Sequence, residues 1–524
     1  MNFQPIHLKD LPVFQRFLSA ANKQCCDYAL ANLYAWSAYY RTEWAESGGF
    51  LVIRFHIAGS EKWAYLEPLG SGNFKNVLEN IRKAANESGQ PVRFFSLSEN
   101  FTESLRNSPV TGSLHFYKDR NFGNYIYTRE RLASLAGRKL HSKRNHIATF
   151  NRRYPNYQWK ILSPESDLPL LRQLLDSWIS SQESATTTIL EERQMIETSL
   201  AHYRELNLFG ILLSVNGEPI AFSYGSKVRS DTFCTHVEKA NTRYEGAYAK
   251  INQLMAEALP ESIRYINREE DMGIPELRKS KLSYHPETIS EEFFAYDADS
   301  EEGKIWALWQ KSFPNDDDSF LTSFIYPYSN ESNRMTLYEN ERLASMLHLF
   351  EFSGDWGRTA YIYGLATDPD FRHKGYASSL ISKALIRAFQ RKDIAVWAIP
   401  ENKEFKCWQE RLEFSNFQTE PLHFLTDDGF SFGENPATDL GIFRIVDMEA
   451  YLNLFAKENP SVAEVIPVFD KLLPSNSGTF RIFEGKAHKI SAEFVNENRF
   501  SPAEIANRYT IRGGKRLKFE IALP

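Results

Sequence analysis

The stretch Leu365-Ala366-Thr367-Asp368-Pro369-Asp370-Phe371-Arg372-His373-Lys374-Gly375-Tyr376-Ala377 joins an apolar run, Thr359 to Thr367, to a helix expected over Ser378 to Arg391. The helix follows from Ala377, Leu380, Ile381, Ala384, Leu385, Ala388 and Phe389, which recur at the three- and four-residue spacing of one helical face. Arg342 to Phe352 before it and Ile394 to Ile399 after it read as strands, so the pattern is a sheet with a helix laid across it. The turn itself is an anion cradle. A helix N-terminus offers unpaired N–H groups and the positive end of a dipole, Gly375 admits a ligand close to the backbone, and Arg372, His373 and Lys374 add cationic donors. A diphosphate suits such a site. An ordinary turn with its cations in water is the alternative.

Working outward, the same order of elements recurs at Phe209 to Val215, an Asn216-Gly217 turn, Pro219 to Gly225, Thr232 to Glu238, a helix from about Ala247 to Ala258, and Arg264 to Asn267. A fainter version comprises strands Phe50 to Phe55 and Lys62 to Leu66, a Gly70-Ser71-Gly72 loop, a helix from about Phe74 to Ala85, and a strand Pro91 to Leu97. Three diverged copies of one unit are expected, giving an α/β (α+β) chain of repeated mixed sheets flanked by helices. The last piece differs. It has a strand Leu440 to Val446, a helix Met448 to Lys457, strands Gly478 to Phe483 and Lys489 to Phe494, and a capping box at Ser501-Pro502-Ala503-Glu504. Linkers are expected at Glu287 to Glu302 and Thr426 to Thr438, so the pieces are 1–295, with an internal boundary near 125–150, then 296–435 and 436–524.

Composition fits several folded domains. The chain has 524 residues, 42% of them hydrophobic and 14% aromatic, which excludes disordered and fibrous classes. Its net charge of −6 is uneven: residues 296–435 carry 14 basic against 23 acidic side chains. Four cysteines, two of them adjacent at Cys25 and Cys26, make neither a disulfide framework nor a CxxC zinc site, and core packing is their expected use. With no signal-peptide core and no long apolar run, a soluble cytoplasmic protein is expected. HExxH, Walker and G-x-S-x-G motifs are missing, so no metal is expected and hydrolase readings fall away.

Arg372-x-x-Gly375-x-Ala377, after an apolar strand and Asp368-Pro369, resembles the acetyl-CoA-binding motif of the GCN5-related N-acetyltransferase (GNAT) family. The resemblance implies acetyl-CoA or another acyl-CoA as co-substrate, with pantetheine along Leu365, Ala366 and Thr367. The diphosphate would lie on Arg372, His373, Lys374, Gly375, Tyr376 and Ala377, and the acceptor would be a small-molecule or peptide amine. The family's tyrosine proton donor aligns with Gln409, which leaves Tyr376, Tyr361, Tyr363 or water for that task. His348 and Glu351 are base candidates by position, against a solvated or structural role.

The last piece, through Gly441-Ile442-Phe443-Arg444-Ile445-Val446-Asp447 and Gly478-Thr479-Phe480-Arg481-Ile482, resembles the sterol-carrier-protein-like domain of enhanced-intracellular-survival-type acetyltransferases. There the C-terminal carboxylate, here on Pro524, reaches the active site. Residues 1–295 resemble the soluble C-terminal domain of phosphatidylglycerol lysyltransferases, itself a pair of GNAT-like units. The matching stretches include Cys26-Asp27-Tyr28-Ala29-Leu30-Ala31-Asn32-Leu33 and Asn267-Arg268-Glu269-Glu270-Asp271-Met272-Gly273.

Two groups of residues stand out in that region. Arg138, Lys139, Lys143, Arg144, Arg152 and Arg153 form a basic helical face, either solvated or binding the phosphates of a tRNA end or lipid headgroup. His236 and Glu238, two apart on a strand and so on one face, are expected to line a cleft with Glu270, Asp271 and Lys279. That cleft would recognise an aminoacyl or amine group, or else be a structural ion-pair network. At Arg243-Tyr244-Glu245-Gly246-Ala247-Tyr248 the turn departs from the CoA pattern, with Glu245 where a phosphate would come. Three functions remain open: acyl-CoA-dependent N-acyl transfer, aminoacyl-tRNA-dependent transfer to lipid or peptide, and non-catalytic CoA binding or scaffolding. Assembly into an oligomer is compatible with each.

Overall fold

The computed structural model describes residues 1–108, 113–180, 187–354, 356–399, 411–418, 440–492, 499–509 and 511. It divides into two compact units, Met1–Gly303 and Lys304–Pro524.

Unit 1 contains two mixed sheets. The first runs Gln4–Pro5, Glu43–Ser47, Phe50–His56, Trp63–Leu66, Arg93–Leu97, Phe293–Asp297 and Leu114–Lys118, with Leu69–Gly70 paired to Phe50–His56. The second runs Thr288–Ile289, Tyr125–Thr128, Tyr265–Asn267, Thr232–Ala240, Glu218–Arg229, Leu208–Val215 and Tyr157–Ile161. In each sheet a single parallel pair is joined by a helix: Trp63–Leu66 with Arg93–Leu97 through Phe74–Glu87, and Thr232–Ala240 with Tyr265–Asn267 through Ala247–Ala258. The expected hairpin turn is present at Asn216 and Gly217, both at positive φ as a twist-matched two-residue turn requires. Both faces of the second sheet are covered. Ile211, Leu213 and Phe233 pack with Ile251 and Leu254 of the crossover helix. Leu212, Phe222 and Val237 pack with Leu171, Leu175 and Ile196 from the helices Pro164–Ser180 and Thr187–Ala201.

A single cut near 125–150 does not separate these sheets. Leu114–Lys118 belongs to the first, yet the next strand, Tyr125–Thr128, pairs in the second; Thr288–Ile289 belongs to the second, yet Phe293–Asp297 returns to the first. The chain thus changes sheet between Lys118 and Tyr125, and only Phe293–Asp297, the strand beside the parallel pair of the first sheet, returns out of order. That return pairs segments more than a hundred residues apart, which leaves no trace in local periodicity.

Unit 2 repeats the architecture in a sheet ordered Arg334–Glu339, Arg342–Gly354, Gly357–Thr367, Ala395–Ala398, Leu440–Ile445 and Ser415–Gln418, with the parallel pair joined by the helix Tyr376–Gln390. Leu380, Ile381, Ala384, Leu385 and Ala388 of that helix meet Leu347, Leu349, Ala360 and Ile362 of the sheet. The strand Leu440–Ile445, expected in the last piece, pairs instead with Ala395–Ala398 and completes this sheet. Arg444 on it is wholly buried, donating to Asp470 at 2.7 Å and to Glu413 at 3.0 Å. After it come the helix Met448–Glu458, the small sheet Glu464–Val468, Gly478–Phe483 and Lys486–Ser491, and a helix Pro502–Arg508 that opens with the expected capping box.

Candidate active site

The Leu365–Ala377 stretch folds as a strand end, a single 3-10 turn and a helix start. Asp368 accepts from the Asp370 N–H, Pro369 opens the turn, and Lys311 holds the Asp368 carboxylate at 3.0 Å. His373 and Gly375 both have positive φ, +63° and +86°, and Gly375 is the N-cap of the helix Tyr376–Gln390. Alternation of this kind turns successive N–H groups toward one concavity. Among the described residues, no acceptor meets the main-chain N–H groups of Gly375, Tyr376, Ala377 and Ser378. A Cβ placed on Gly375 would find nothing within 4 Å among the described residues, so none of them fills the space over these amides. Arg372, His373 and Lys374 are exposed around it; Arg372 Nε donates to Thr367 O at 3.4 Å, and Lys374 lies 3.4 Å from Glu339.

The strand leading in is splayed from its parallel neighbour. Pairing with Ala395–Ala398 involves only Ala360, Tyr361 and Ile362, whereas Ala366 and Thr367 pair on the opposite side with Met346 and Ser345. A bulge falls at Gly364–Leu365, between the pairs Met346–Ala366 and His348–Tyr363. Gly364 has φ +59°, and a Cβ there would lie 2.3 Å from the Trp309 ring, so only glycine fits beneath the indole.

The acid–base candidates are scattered. His348 is fully buried, its Nε2 2.8 Å from Ser329 Oγ and its ring against Phe324 and Trp309, which makes it part of the aromatic layer. Glu351 pairs with Arg391 at 3.1 Å and lies opposite Ala360, about 23 Å of extended strand from the turn after Thr367. Tyr361 is buried and Tyr363 half-buried on the same aromatic face. Tyr376 stands at the first position of the helix, and its phenol donates to Glu339; that hydrogen bond, with some burial, pushes its pKa up. Gln409 and Pro524 lie outside the described residues.

The two equivalent turns in unit 1 are filled from within the protein. Gly246 has the backbone conformation of Gly375, φ +86° and ψ −2° against +86° and 5°, and also caps a helix. A Cβ on it would lie 2.6 Å from His146 O and 3.0 Å from Phe150 Cβ, because the helix His141–Arg153 sits on the turn. Glu245 there pairs with Arg153 at 2.5 Å. At the first copy, Gly70 and Gly72 press on the carbonyls of Gly49 and Gly48, and Asn73 caps the helix with its own side chain. One turn in three is open.

The expected cleft of His236, Glu238, Glu270, Asp271 and Lys279 does not form as a unit. Thr235 pairs with Gly225 and Val237 with Tyr224, so His236 is the extra residue of a bulge, and the bulge flips the alternation beyond it. Glu238 goes to the crossover helix, bonded by Asn252 at 3.0 Å and Arg268 at 2.9 Å, while His236 faces Glu269 at 2.8 Å and Ser226 at 2.8 Å. Asp271 is buried under Arg278, Arg120 and Tyr125 at 2.7, 3.2 and 2.5 Å; burial would raise its pKa, but Arg278 and Tyr125 hold it low. Lys279 is exposed.

What gathers instead is a polar nest that sequence reading only half found. Cys26 Sγ donates to Glu270 at 2.8 Å, Asn32 holds Glu269 at 2.8 Å, and Lys281 Nζ donates to the carbonyls of Arg268, at 2.6 Å, and Glu270. Burial and the neighbouring Asp27 and Glu269 push Glu270 up to about 7. Glu269 stays low despite its burial because it accepts from His236. Cys25 packs in the core as expected, but its neighbour Cys26 belongs to this nest.

Of the six basic helix residues, three are occupied internally. Arg144 bonds the carbonyls of Leu135 and Gly137 at 2.5 and 2.6 Å, Arg153 pairs with Glu245, and Lys143 lies over the Tyr284 ring at 4.1 Å. Arg138, Lys139 and Arg152 are exposed. No helix among the described residues is long and apolar enough to cross a membrane.

Comparison with known proteins follows the same division. Residues 296–410 match the acetyltransferase (GNAT) family model, and residues 19–296 match the model for phosphatidylglycerol lysyltransferase, C-terminal. A conserved protein of unknown function from Bacteroides thetaiotaomicron is 36% identical, the match covering 56% of this chain and 99% of that one, with a TM-score of 0.52. An uncharacterised protein of Mycoplasmoides gallisepticum is 23% identical over 297 residues, covering 50% of this chain and 89% of that protein. L-PGS from Bacillus licheniformis is 16% identical over 62% of this chain and 98% of that one, with a TM-score of 0.42. Matched over more than half its length, the chain belongs to the phosphatidylglycerol lysyltransferase C-terminal family, carries an acetyltransferase (GNAT) domain after that region, and has acyl or aminoacyl transfer as its class of chemistry.

Proposed function

We propose that unit 2 transfers an acyl group from an acyl-CoA, acetyl-CoA foremost, to an amine. The observation that carries this is the open cradle at Gly375, with its free amides and rim of Arg372, His373 and Lys374. In this reading pantetheine lies along the splayed edge of Leu365, Ala366 and Thr367, and the diphosphate sits on the helix start. The amine nitrogen attacks the thioester carbonyl, the carbon–sulfur bond breaks, and the thiolate takes up a proton. Water supplies that proton, because Tyr376 stands with the diphosphate at the helix start, a pantetheine length away from the sulfur, and its phenol is bonded to Glu339. The acidic balance of residues 296–435 favours a cationic amine as acceptor. Calorimetric titration of CoA into the full chain tests the reading, with thiol release from acetyl-CoA measured across a panel of amines. Saturable binding with thiol release is expected, and absence of CoA binding would overturn it. Binding without release would favour a CoA-binding scaffold.

A second reading, for unit 1, is aminoacyl transfer from a tRNA. It is favoured by the filled turns at Gly72 and Gly246, which argue for a donor other than CoA there, and by the exposed cations Arg138, Lys139 and Arg152. Changing those three to Glu is expected to lower the log–log salt slope of tRNA binding by about 2–3. Binding to anionic vesicles, with none to tRNA at low salt, would replace this reading by contact with a lipid headgroup.

A further inference from the structure

Three side chains that acyl transfer leaves without a task converge in unit 1. Cys234 and His236 lie on the Thr232–Ala240 strand, and Glu269 follows the parallel strand Tyr265–Asn267 in a left-handed turn, φ +58°. Parallel pairing of Cys234 with Asn267 brings the three together: Cys234 Sγ, His236 Nδ1 and a Glu269 carboxylate oxygen all lie within 4.8 Å of one another. We propose that they form a site for a divalent transition metal, zinc by the chemistry of its donors.

The donor set is the first argument. Thiolate, imidazole and carboxylate together suit zinc, and three protein ligands leave a fourth position open. Distances agree. Zn–S of about 2.3 Å and Zn–O of about 2.1 Å at a tetrahedral angle separate sulfur from oxygen by about 3.6 Å, and Cys234 Sγ lies 3.6 Å from Glu269 Oε1. His236 Nδ1 and Glu269 Oε1, 2.8 Å apart as a hydrogen-bonded pair, need to part by about half an ångström.

The surroundings hold each ligand from behind. Ser226 Oγ lies 2.8 Å from His236 Nε2, the ring nitrogen away from the site, which is how ligating histidines are oriented. Asn267 Oδ1 accepts from the Glu269 main-chain N–H at 2.7 Å and so fixes the turn, while Asn32 Nδ2 donates at 2.8 Å to Oε1, the ligating oxygen itself. Cys234 and the His236 side chain are buried, while the Glu269 side chain keeps 23% of its surface and gives the ion a way in. On binding, the Cys234 S–H proton leaves to solvent as the metal–sulfur bond forms, and His236 turns from the Nδ1–H to the Nε2–H tautomer, freeing Nδ1 for the metal while Nε2–H donates to Ser226 Oγ.

Cobalt(II) added to the chelator-stripped full chain tests this. One equivalent is expected to give sulfur-to-cobalt charge-transfer absorption that zinc displaces. Cys234→Ser should lose that band, and Cys26→Ser should retain it. Ser226→Ala, which leaves all three ligands and the packing in place, should weaken zinc binding about 10- to 100-fold. No charge-transfer band in the wild type, a band that survives Cys234→Ser, or unchanged zinc affinity in Ser226→Ala would overturn the proposal.

Discussion

Gly375→Glu is expected to lower CoA affinity by on the order of 100-fold or more while leaving unit 2 folded. The new carboxylate would stand where the diphosphate is proposed to lie, and like charges about 4 Å apart repel by about 4 kcal/mol at an effective dielectric near 20. The fold is spared because a Cβ at this position meets nothing within 4 Å, leaving only the strain of a side chain at φ +86°, about 1–2 kcal/mol. Calorimetry with CoA, paired with thermal unfolding of the variant, checks both halves. Unaltered affinity in a folded variant would remove the cradle from the binding site. Gly246 offers no such clean test, since a side chain there strikes the His146 carbonyl and damages the fold first.

Arg444→Leu is expected to destabilise unit 2 by about 3–5 kcal/mol, the cost of leaving a buried charge without its partner. Its guanidinium is fully buried between Asp470 and Glu413, and also donates to the carbonyls of Leu412 and Ile445. Without it Asp470 keeps, among the described residues, the Asn476 amide and the N–H groups of Leu472 and Leu473. The double variant Arg444→Leu, Asp470→Asn should regain much of the loss, because the fully buried Asp470 charge is then gone and the carboxylate left without its partner, Glu413, is in part exposed to solvent. Urea unfolding followed by tryptophan fluorescence measures both variants. A shift below about 1 kcal/mol for the single change would mean that the ion pair contributes little beyond packing.

Much of the fold was legible in the sequence because its determinants are local. The helix Tyr376–Gln390 announces itself by its apolar stripe, the Asn216–Gly217 hairpin by the two residues that tolerate positive φ, and the helix Pro502–Arg508 by its capping box. The return of Phe293–Asp297 to the first sheet, and the placing of Leu440–Ile445 in the third, were not legible, because both are pairings between distant segments. The polar cluster fared similarly. Alternation predicts one face for His236 and Glu238, but a single bulged residue reverses it, and Glu269, Lys281, Cys26 and Asn32 come from segments whose meeting no spacing rule foretells.

The sequence by itself determined that three sheet-and-helix units recur and that a glycine turn starts the crossover helix at Gly246 and at Gly375, since backbone conformation at such a turn depends on the residues within it. Only the tertiary structure decided which turn is open. Gly246 and Gly375 share their φ and ψ, yet one lies beneath the helix His141–Arg153 and the other faces free space. What covers a turn is set by packing of remote segments.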